Sequence, residues 1–91
     1  MLAYKAAYRW EEGVCLAEVL DFPGVFTFGH SLKEARVYLA DALKLMAEHR
    51  LEQGEPLPTP DPQKHDPAAE IEEPIYLVLQ AGTRLRQRAA P

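Results

Sequence analysis

Residues 21–35 read DFPGVFTFGHSLKEA and decide the fold, because they hold a chain corner, a short strand and a helix start in one run. Pro23 lacks a backbone N–H and Gly24 accepts unusual backbone shapes, so the pair predicts a corner that ends a strand. The letters VFTF then favour a short strand. Ser31 and Glu34 have the spacing of a capping box, in which the Ser31 hydroxyl accepts the Glu34 N–H and the Glu34 carboxylate reaches back to the N-cap.

The residues before this stretch predict two more strands. Residues 2–10 alternate with a period of two, which is typical of a strand. Gly13 suits the tight turn that follows, and VCLAEVL predicts a second, central strand with two partly apolar faces. The three strands together predict an antiparallel meander. We expect one face to carry Tyr4, Tyr8 and Trp10 and the other to carry Ala7, Cys15, Ala17 and Val19.

The residues after this stretch predict one long amphipathic helix. Apolar residues recur at steps of three and four from Leu32 to Met46, and we expect Tyr38 and Leu45 to widen this apolar stripe. The helix is predicted to end near Gln53, because Gly54 supplies a left-handed residue there and a proline follows soon after.

The rest of the chain changes in composition. Residues 55–74 hold six of the eight prolines, six acidic side chains and one basic one, which predicts extended backbone that is either draped over the domain or mobile. Residues 75–80, IYLVLQ, predict a fourth strand. The sequence therefore predicts one α+β domain over residues 1–82, with a three- to four-stranded antiparallel sheet and one helix in the order βββαβ. A basic tail follows over residues 83–91.

Composition and charge exclude several classes of protein. The net charge is −4, and three arginines at the end of the chain are too few for strong nucleic-acid binding on their own. No apolar run is long enough to span a membrane and no signal peptide is recognisable, so we expect a cytoplasmic protein. The absence of asparagine and the use of arginine and glutamate suit a thermophile or a GC-rich genome equally.

Catalysis and metal binding are not predicted. Two-metal phosphoryl chemistry needs converging carboxylates, and the first strand contains no acidic residue. The single cysteine, Cys15, has no partner for a disulfide, and neither it nor His30, His49 or His65 has the spacing of a metal site. We therefore predict a protein that is not an enzyme and needs no cofactor.

One helix can cover only one face of the predicted sheet, although both faces are partly apolar. We therefore expect a homo-oligomer, a dimer or a tetramer, that associates through an uncovered apolar face or an edge strand. The candidate residues for contact with a partner or another subunit are those of the aromatic stripe and of the loops, namely Tyr4, Tyr8, Trp10, Asp21, Phe22 and His30. A stacking platform for nucleic acid is the alternative interpretation of the stripe, and the acidic charge of residues 1–54 disfavours it.

The order of these elements resembles the HicB-like antitoxin family. The motif elements that carry the resemblance are Phe22-Pro23-Gly24, Thr27, Gly29-His30-Ser31, Glu34-Ala35, Gly54 and Pro58-Thr59-Pro60. His30 stands where the family commonly has an acidic residue. The resemblance covers residues 1–60 well and the remainder weakly.

The resemblance implies a partial ribonuclease H-like fold and a role as a bacterial antitoxin. Such an antitoxin binds and masks a small toxin, similar to a double-stranded-RNA-binding domain, that cleaves messenger RNA. Many relatives add a DNA-binding module after this domain, and the residues after Gly82 are too few for one, so we expect no direct DNA binding. The alternative is an orphan homo-oligomeric member of the family with another regulatory or binding role.

Overall fold

The computed structural model describes residues 1–79, which form a four-stranded antiparallel sheet with one helix. Along the chain the elements are β1 (Leu2–Glu11), β2 (Val14–Val19), β3 (Phe26–Gly29), α1 (Leu32–Glu52) and β4 (Ile71–Leu77). The spatial order of the strands is β3-β2-β1-β4. The predicted α+β class and the order βββαβ are confirmed. The end of the predicted fourth strand at Gln80 and the predicted basic tail lie outside the described residues.

The turn between β1 and β2 sets the register of the sheet. Glu12 and Gly13 both have positive φ, 51° and 80°, which is the geometry of the two-residue hairpin turn that matches strand twist. This turn places Tyr8 opposite Ala17 and Trp10 opposite Cys15. Residues directly opposite each other in an antiparallel pair point to the same face.

The predicted distribution of apolar residues between the two faces is therefore wrong. The three β2 residues Cys15, Ala17 and Val19 share the helix-covered face with the aromatic stripe of β1, and all three are buried there. Of the residues predicted for the second face, Ala7 alone lies on it. The error arose because strand periodicity gives the alternation within each strand but not the register between strands.

Helix α1 begins and ends as its sequence predicts. The Ser31 hydroxyl accepts the Glu34 N–H at 3.0 Å, and the Glu34 carboxylate accepts the His30 N–H at 3.0 Å. Gln53 caps the last turn and Gly54 follows with φ of 74°. The start of the helix therefore depends on side-chain hydrogen bonds, and its end depends on backbone hydrogen bonds and the positive φ of a glycine.

The buried face of α1 is narrower than predicted. Its fully buried residues form a row at steps of four, namely Ala35, Leu39, Leu43 and Ala47. The predicted stripe residues Leu32, Ala42 and Met46 are partly buried and pack against this core. Tyr38 and Leu45 are exposed, so the prediction that they widen the buried stripe is wrong. Each residue turns the helix by about 100°, which carries Tyr38 away from its buried neighbour Leu39.

Gly29 marks the closest approach of β3 to the helix. A Cβ atom at this position would lie 2.7 Å from the backbone nitrogen of Ala35, which is closer than real Cβ contacts allow. Only glycine fits between the strand and the first helical turn, since any other side chain would push the two apart.

Strand β4 starts at Ile71, four positions before the predicted start at Ile75, and it contains Pro74. Pro74 lies opposite Lys5. The Lys5 N–H and C=O point away from β4. The N–H donates to the Asp21 carboxylate and the C=O accepts the Leu20 N–H, each at 2.9 Å. No ladder hydrogen bond therefore needs the N–H that proline lacks, and an edge strand accepts it.

Residues 55–70, which we call the strap, run from the end of α1 to the start of β4 without regular structure. The Tyr4 hydroxyl donates to the Pro58 carbonyl at 2.7 Å, and the Lys5 ammonium donates to the carbonyls of Pro62 and Lys64, each at 2.8 Å. The Tyr4 bond holds the start of the strap on the helix-covered side, and the Lys5 bonds hold its middle on the second face of the sheet. The strap is therefore draped over the domain, the first of the two predicted alternatives.

The strap leaves the β2 and β3 part of the second face uncovered, where Phe26 and Phe28 remain exposed. Within residues 1–79, no helix has the length and apolar character needed to cross a membrane.

Candidate interaction surface

Asp21 is the one charged residue of the described chain that is buried, with 6% of its surface exposed. Its two carboxylate oxygens accept the N–H groups of Lys5 and Asp61, each at 2.9 Å. The first N–H belongs to β1 and the second to the strap. Asp21 therefore fastens the strap to the sheet, and backbone donors replace the water that its charge would otherwise need.

An aromatic joint lies beside Asp21. The rings of Tyr4 and Phe22 meet edge to face at 5.3 Å between centroids, and the Arg50 guanidinium carbon lies 5.2 Å from the centre of the Phe22 ring. Burial, and then the nearby charge of Asp21, raise the pKa of the Tyr4 phenol. The joint connects the sheet, the last helical turn and the strap, and its cation–π and aromatic contacts stabilise the packing of these three parts.

The six sequence-predicted contact residues fall at two ends of the sheet. Tyr4, Asp21 and Phe22 lie together at one end in the joint just described. Trp10 pairs with Cys15, which pairs with Gly29, so Trp10 and His30 lie at the other end. The sixth residue, Tyr8, is buried between them. In the isolated chain only Trp10 and His30 reach the surface, and contact of the six with a partner stays a prediction.

A second buried phenol belongs to a link between α1 and β4. The Arg36 guanidinium donates to both carboxylate oxygens of Glu73, at 2.9 Å and 2.7 Å. Burial, followed by the Glu73 carboxylate, raises the pKa of the Tyr8 phenol to about 12. Such a phenol stays protonated at neutral pH, so it contributes packing rather than acid–base chemistry. No local pattern predicts this link, because its two charged residues are 37 positions apart.

The face of α1 that points away from the sheet carries a surface we call the helix stripe. It consists of Tyr38, Asp41, Leu45 and Glu48, whose alternating steps of three and four keep them on one side of the helix. Leu45 has 71% of its surface exposed. Acidic and exposed apolar side chains alternate along the stripe, which favours a partner with basic and apolar groups.

The two edges of the sheet differ in chemistry. The edge strand β4 carries Glu72, Glu73 and Pro74, which are groups that discourage another strand from pairing. The other edge strand, β3, has the sequence FTFG with neither charge nor proline. Phe26 and Phe28 are 73% and 58% exposed on the face that α1 does not cover. We call β3 with these two side chains the open edge.

A shallow depression of about 210 Å³ lies beside the open edge. Its lining includes Ala7, Arg9, Leu16, Glu18, Phe26 and the strap residue Asp66. No nucleophile paired with a base lines it. Within residues 1–79, no group of three histidine, cysteine or acidic side chains is placed to hold a metal ion.

Sequence reasoning missed both surfaces. The helical periodicity predicts that Tyr38 and Leu45 belong to the apolar stripe, and the letters of β3 predict only a strand. A signal for the open edge was present, because FTFG is the shortest strand and the only uncharged one of the four. A short strand that joins a meander to a helix is commonly at an edge.

Comparisons with known proteins show what this fold resembles. No protein-family model and no curated protein matches the chain. Among solved structures, the N-terminal domain of the antitoxin HicB from Burkholderia pseudomallei matches with a TM-score of 0.73 and 21% identity, covering 86% of this chain and 100% of that one. The structure of the Burkholderia pseudomallei antitoxin HicB matches with a TM-score of 0.71 and 19% identity, covering 99% of this chain and 83% of that one. The resemblance suggested by the sequence motifs is confirmed at the level of the fold.

Proposed function

We propose that the protein is a non-catalytic, cytoplasmic antitoxin-type protein that binds and neutralises a small basic RNA-cleaving toxin by protein–protein contact. The observation that carries the proposal is the fold, which covers the whole of the HicB N-terminal domain. The sequence motifs around the open edge and the helix start support it, because the same positions carry the resemblance.

Charge supports the choice of a basic partner. Residues 1–79 contain fourteen acidic and seven basic side chains, so the described body of the protein is strongly acidic. An acidic surface speeds the approach of a basic protein and disfavours nucleic acid. The helix stripe adds exposed apolar groups to this charge, and we propose it as the toxin-binding surface.

The absence of catalysis is proposed from what the acidic residues do. The Asp21 carboxylate holds two backbone N–H groups, and the Glu73 carboxylate holds Arg36. The Glu72 carboxylate accepts the Asp66 N–H at 2.9 Å and contacts the His65 ring at 2.8 Å. These carboxylates stabilise the fold, which leaves them poorly placed to act on a substrate.

The test is binding to the product of a toxin-sized gene beside this one, with RNA cleavage as the readout. We expect cleavage to stop at equal amounts of the two proteins. Changing Asp41 and Glu48 together to lysine reverses the charge of the helix stripe, so we expect the Kd to rise at least about tenfold. Glu12→Lys is the matched control, since it makes the same kind of change on the distant hairpin turn.

The outcomes separate the function from the surface. If the doubly changed protein binds and neutralises like the native one, the toxin is bound elsewhere and the helix stripe is not the surface. If no neighbouring gene product binds the native protein, the antitoxin proposal fails and the orphan alternative is favoured.

We also propose that the protein works as a homo-oligomer, a dimer or a tetramer. The supporting observation is the pair of exposed phenylalanines on the uncovered part of the sheet. Water contact with two large aromatic side chains is unfavourable, and burial of each would contribute roughly 1.5–3 kcal/mol.

A further inference from the structure

We propose that the open edge pairs with the open edge of a second copy, antiparallel about a two-fold axis at Thr27, so that one continuous sheet runs through a dimer. The inference rests on the proposed homo-oligomer and specifies its interface. The sheet of the dimer would have twice the four strands of one chain. Two-fold pairing of identical strands closes after two copies and leaves no further open edge.

The backbone of β3 has the right groups at this edge. The Val19 N–H donates to the Val25 carbonyl at 2.9 Å, which fixes Val25 as a residue that faces β2. Hydrogen-bonding direction alternates along an antiparallel strand, so Thr27 and Gly29 also face β2. Phe26 and Phe28 therefore direct their N–H and C=O groups outward, and within residues 1–79 these groups have no backbone partner.

The side chains of β3 complement each other in the same register. An axis at Thr27 sets Phe26 of one copy opposite Phe28 of the other, and each such pair exchanges both of its backbone hydrogen bonds. The aromatic side chains then meet as two cross-strand pairs on the uncovered face, and the two threonines meet on the helix side. Aromatic and threonine pairs are among the favourable cross-strand combinations.

Charge explains why the occupant is a second copy. The described body carries twice as many acidic as basic side chains, so two copies repel each other over most of their surfaces. The helix stripe would place acid against acid, and the β4 edge would place Glu72 and Glu73 near their own counterparts. The open edge carries no charge. It is the strand edge at which two acidic molecules can meet without this repulsion.

The first test places charge on the open edge. By sedimentation velocity we expect the native protein to have twice the chain mass of 10.2 kDa, and the protein with Phe26→Lys and Phe28→Lys to have the mass of one chain. Both side chains are exposed, so the circular dichroism spectrum should stay native. Tyr76→Lys is the matched control: Tyr76 is a 57% exposed aromatic residue on the same face of the opposite edge strand, and this variant should remain dimeric.

The second test reports the register. Opposed residues that do not exchange hydrogen bonds have Cα atoms about 4.5 Å apart, which is within the range of a disulfide. Thr27→Cys should therefore form a cross-linked dimer under mild oxidation, whereas the native protein should not, because Cys15 is fully buried. A native protein with the mass of one chain would overturn both the homo-oligomer and the interface. An oligomer that survives the two lysine changes and does not cross-link through position 27 would overturn the interface alone.

Discussion

At the scale of single residues, Asp21 links β1 to the strap, a role that its position in the sequence does not predict. It precedes a Phe-Pro-Gly corner and looks like an ordinary loop residue available to a partner. In the structure it is buried and its two oxygens hold β1 and the strap. The burial of a charge is favourable here only because both oxygens have N–H donors.

Asp21→Asn should destabilise the protein by about 1–3 kcal/mol, because the amide group replaces one acceptor oxygen with a donor that faces a backbone N–H. Urea unfolding at neutral pH measures the change. Asp41→Asn makes the same substitution on the exposed side of α1, and we expect it to change stability by less than about 0.5 kcal/mol. Equal midpoints for the two variants would show that Asp21 does not fasten the strap.

At the scale of secondary-structure elements, the pairing of Arg36 with Glu73 joins α1 to β4. Hydrogen bonding with the Arg36 guanidinium is the main reason that the pKa of Glu73 lies below its ordinary value of 4.5. The folded protein therefore holds this proton less tightly than the unfolded chain does. The resulting stability is fully present above pH 4.5 and is lost as the pH falls through the lowered value.

Glu73→Gln should accordingly lower the thermal midpoint at pH 7 by no more than a few degrees, since the pair is partly exposed. The difference from the native protein should shrink as the pH is lowered below 4. Thermal unfolding followed over a pH series measures this effect. In a protein that already carries Arg36→Met, the same change should show no such pH dependence, and a persistent dependence would assign it to another group.

The elements also show which parts of the fold can be predicted from sequence. The helix and β3 were predictable because Pro23, Gly24, Ser31 and Gly54 act on their immediate neighbours. The sharing of faces between β1 and β2 was not, since it depends on a turn of two rather than three residues. The start of β4 at Ile71 was not predictable either, because Pro74 and two glutamates lower the strand propensity of the residues that form this strand.

At the scale of the whole molecule, helix α1 covers one face of the sheet and the strap covers part of the other face. Lys5 is the main polar attachment of the strap on the second face, through the carbonyls of Pro62 and Lys64. Loss of these bonds should loosen the strap without unfolding the sheet, because the joint around Asp21 is separate.

Lys5→Met should therefore raise the hydrogen-exchange rate of the Gln63 and Asp66 amides roughly thirtyfold, since one lost hydrogen bond contributes about 1 kcal/mol and two are lost. Amide exchange followed by mass spectrometry or NMR measures this, with the amides of α1 as an internal reference. Lys64→Met removes an exposed ammonium from the strap itself and should leave both rates unchanged. A general rise that includes α1 would mean that Lys5 supports the whole fold.

The candidate surfaces were less predictable than the fold for a reason that also belongs to this scale. Exposure of Leu45, Phe26 and Phe28 results from how far the helix and the strap extend over the sheet, and local patterns do not encode that extent.

The pairing of the first strand with the last has a further consequence for synthesis. Until residues 71–77 have been made, β1 is itself an edge strand, so the nascent sheet lacks the edge that Glu72, Glu73 and Pro74 protect in the finished protein. The growing chain is thus most prone to aggregation just before its last strand docks.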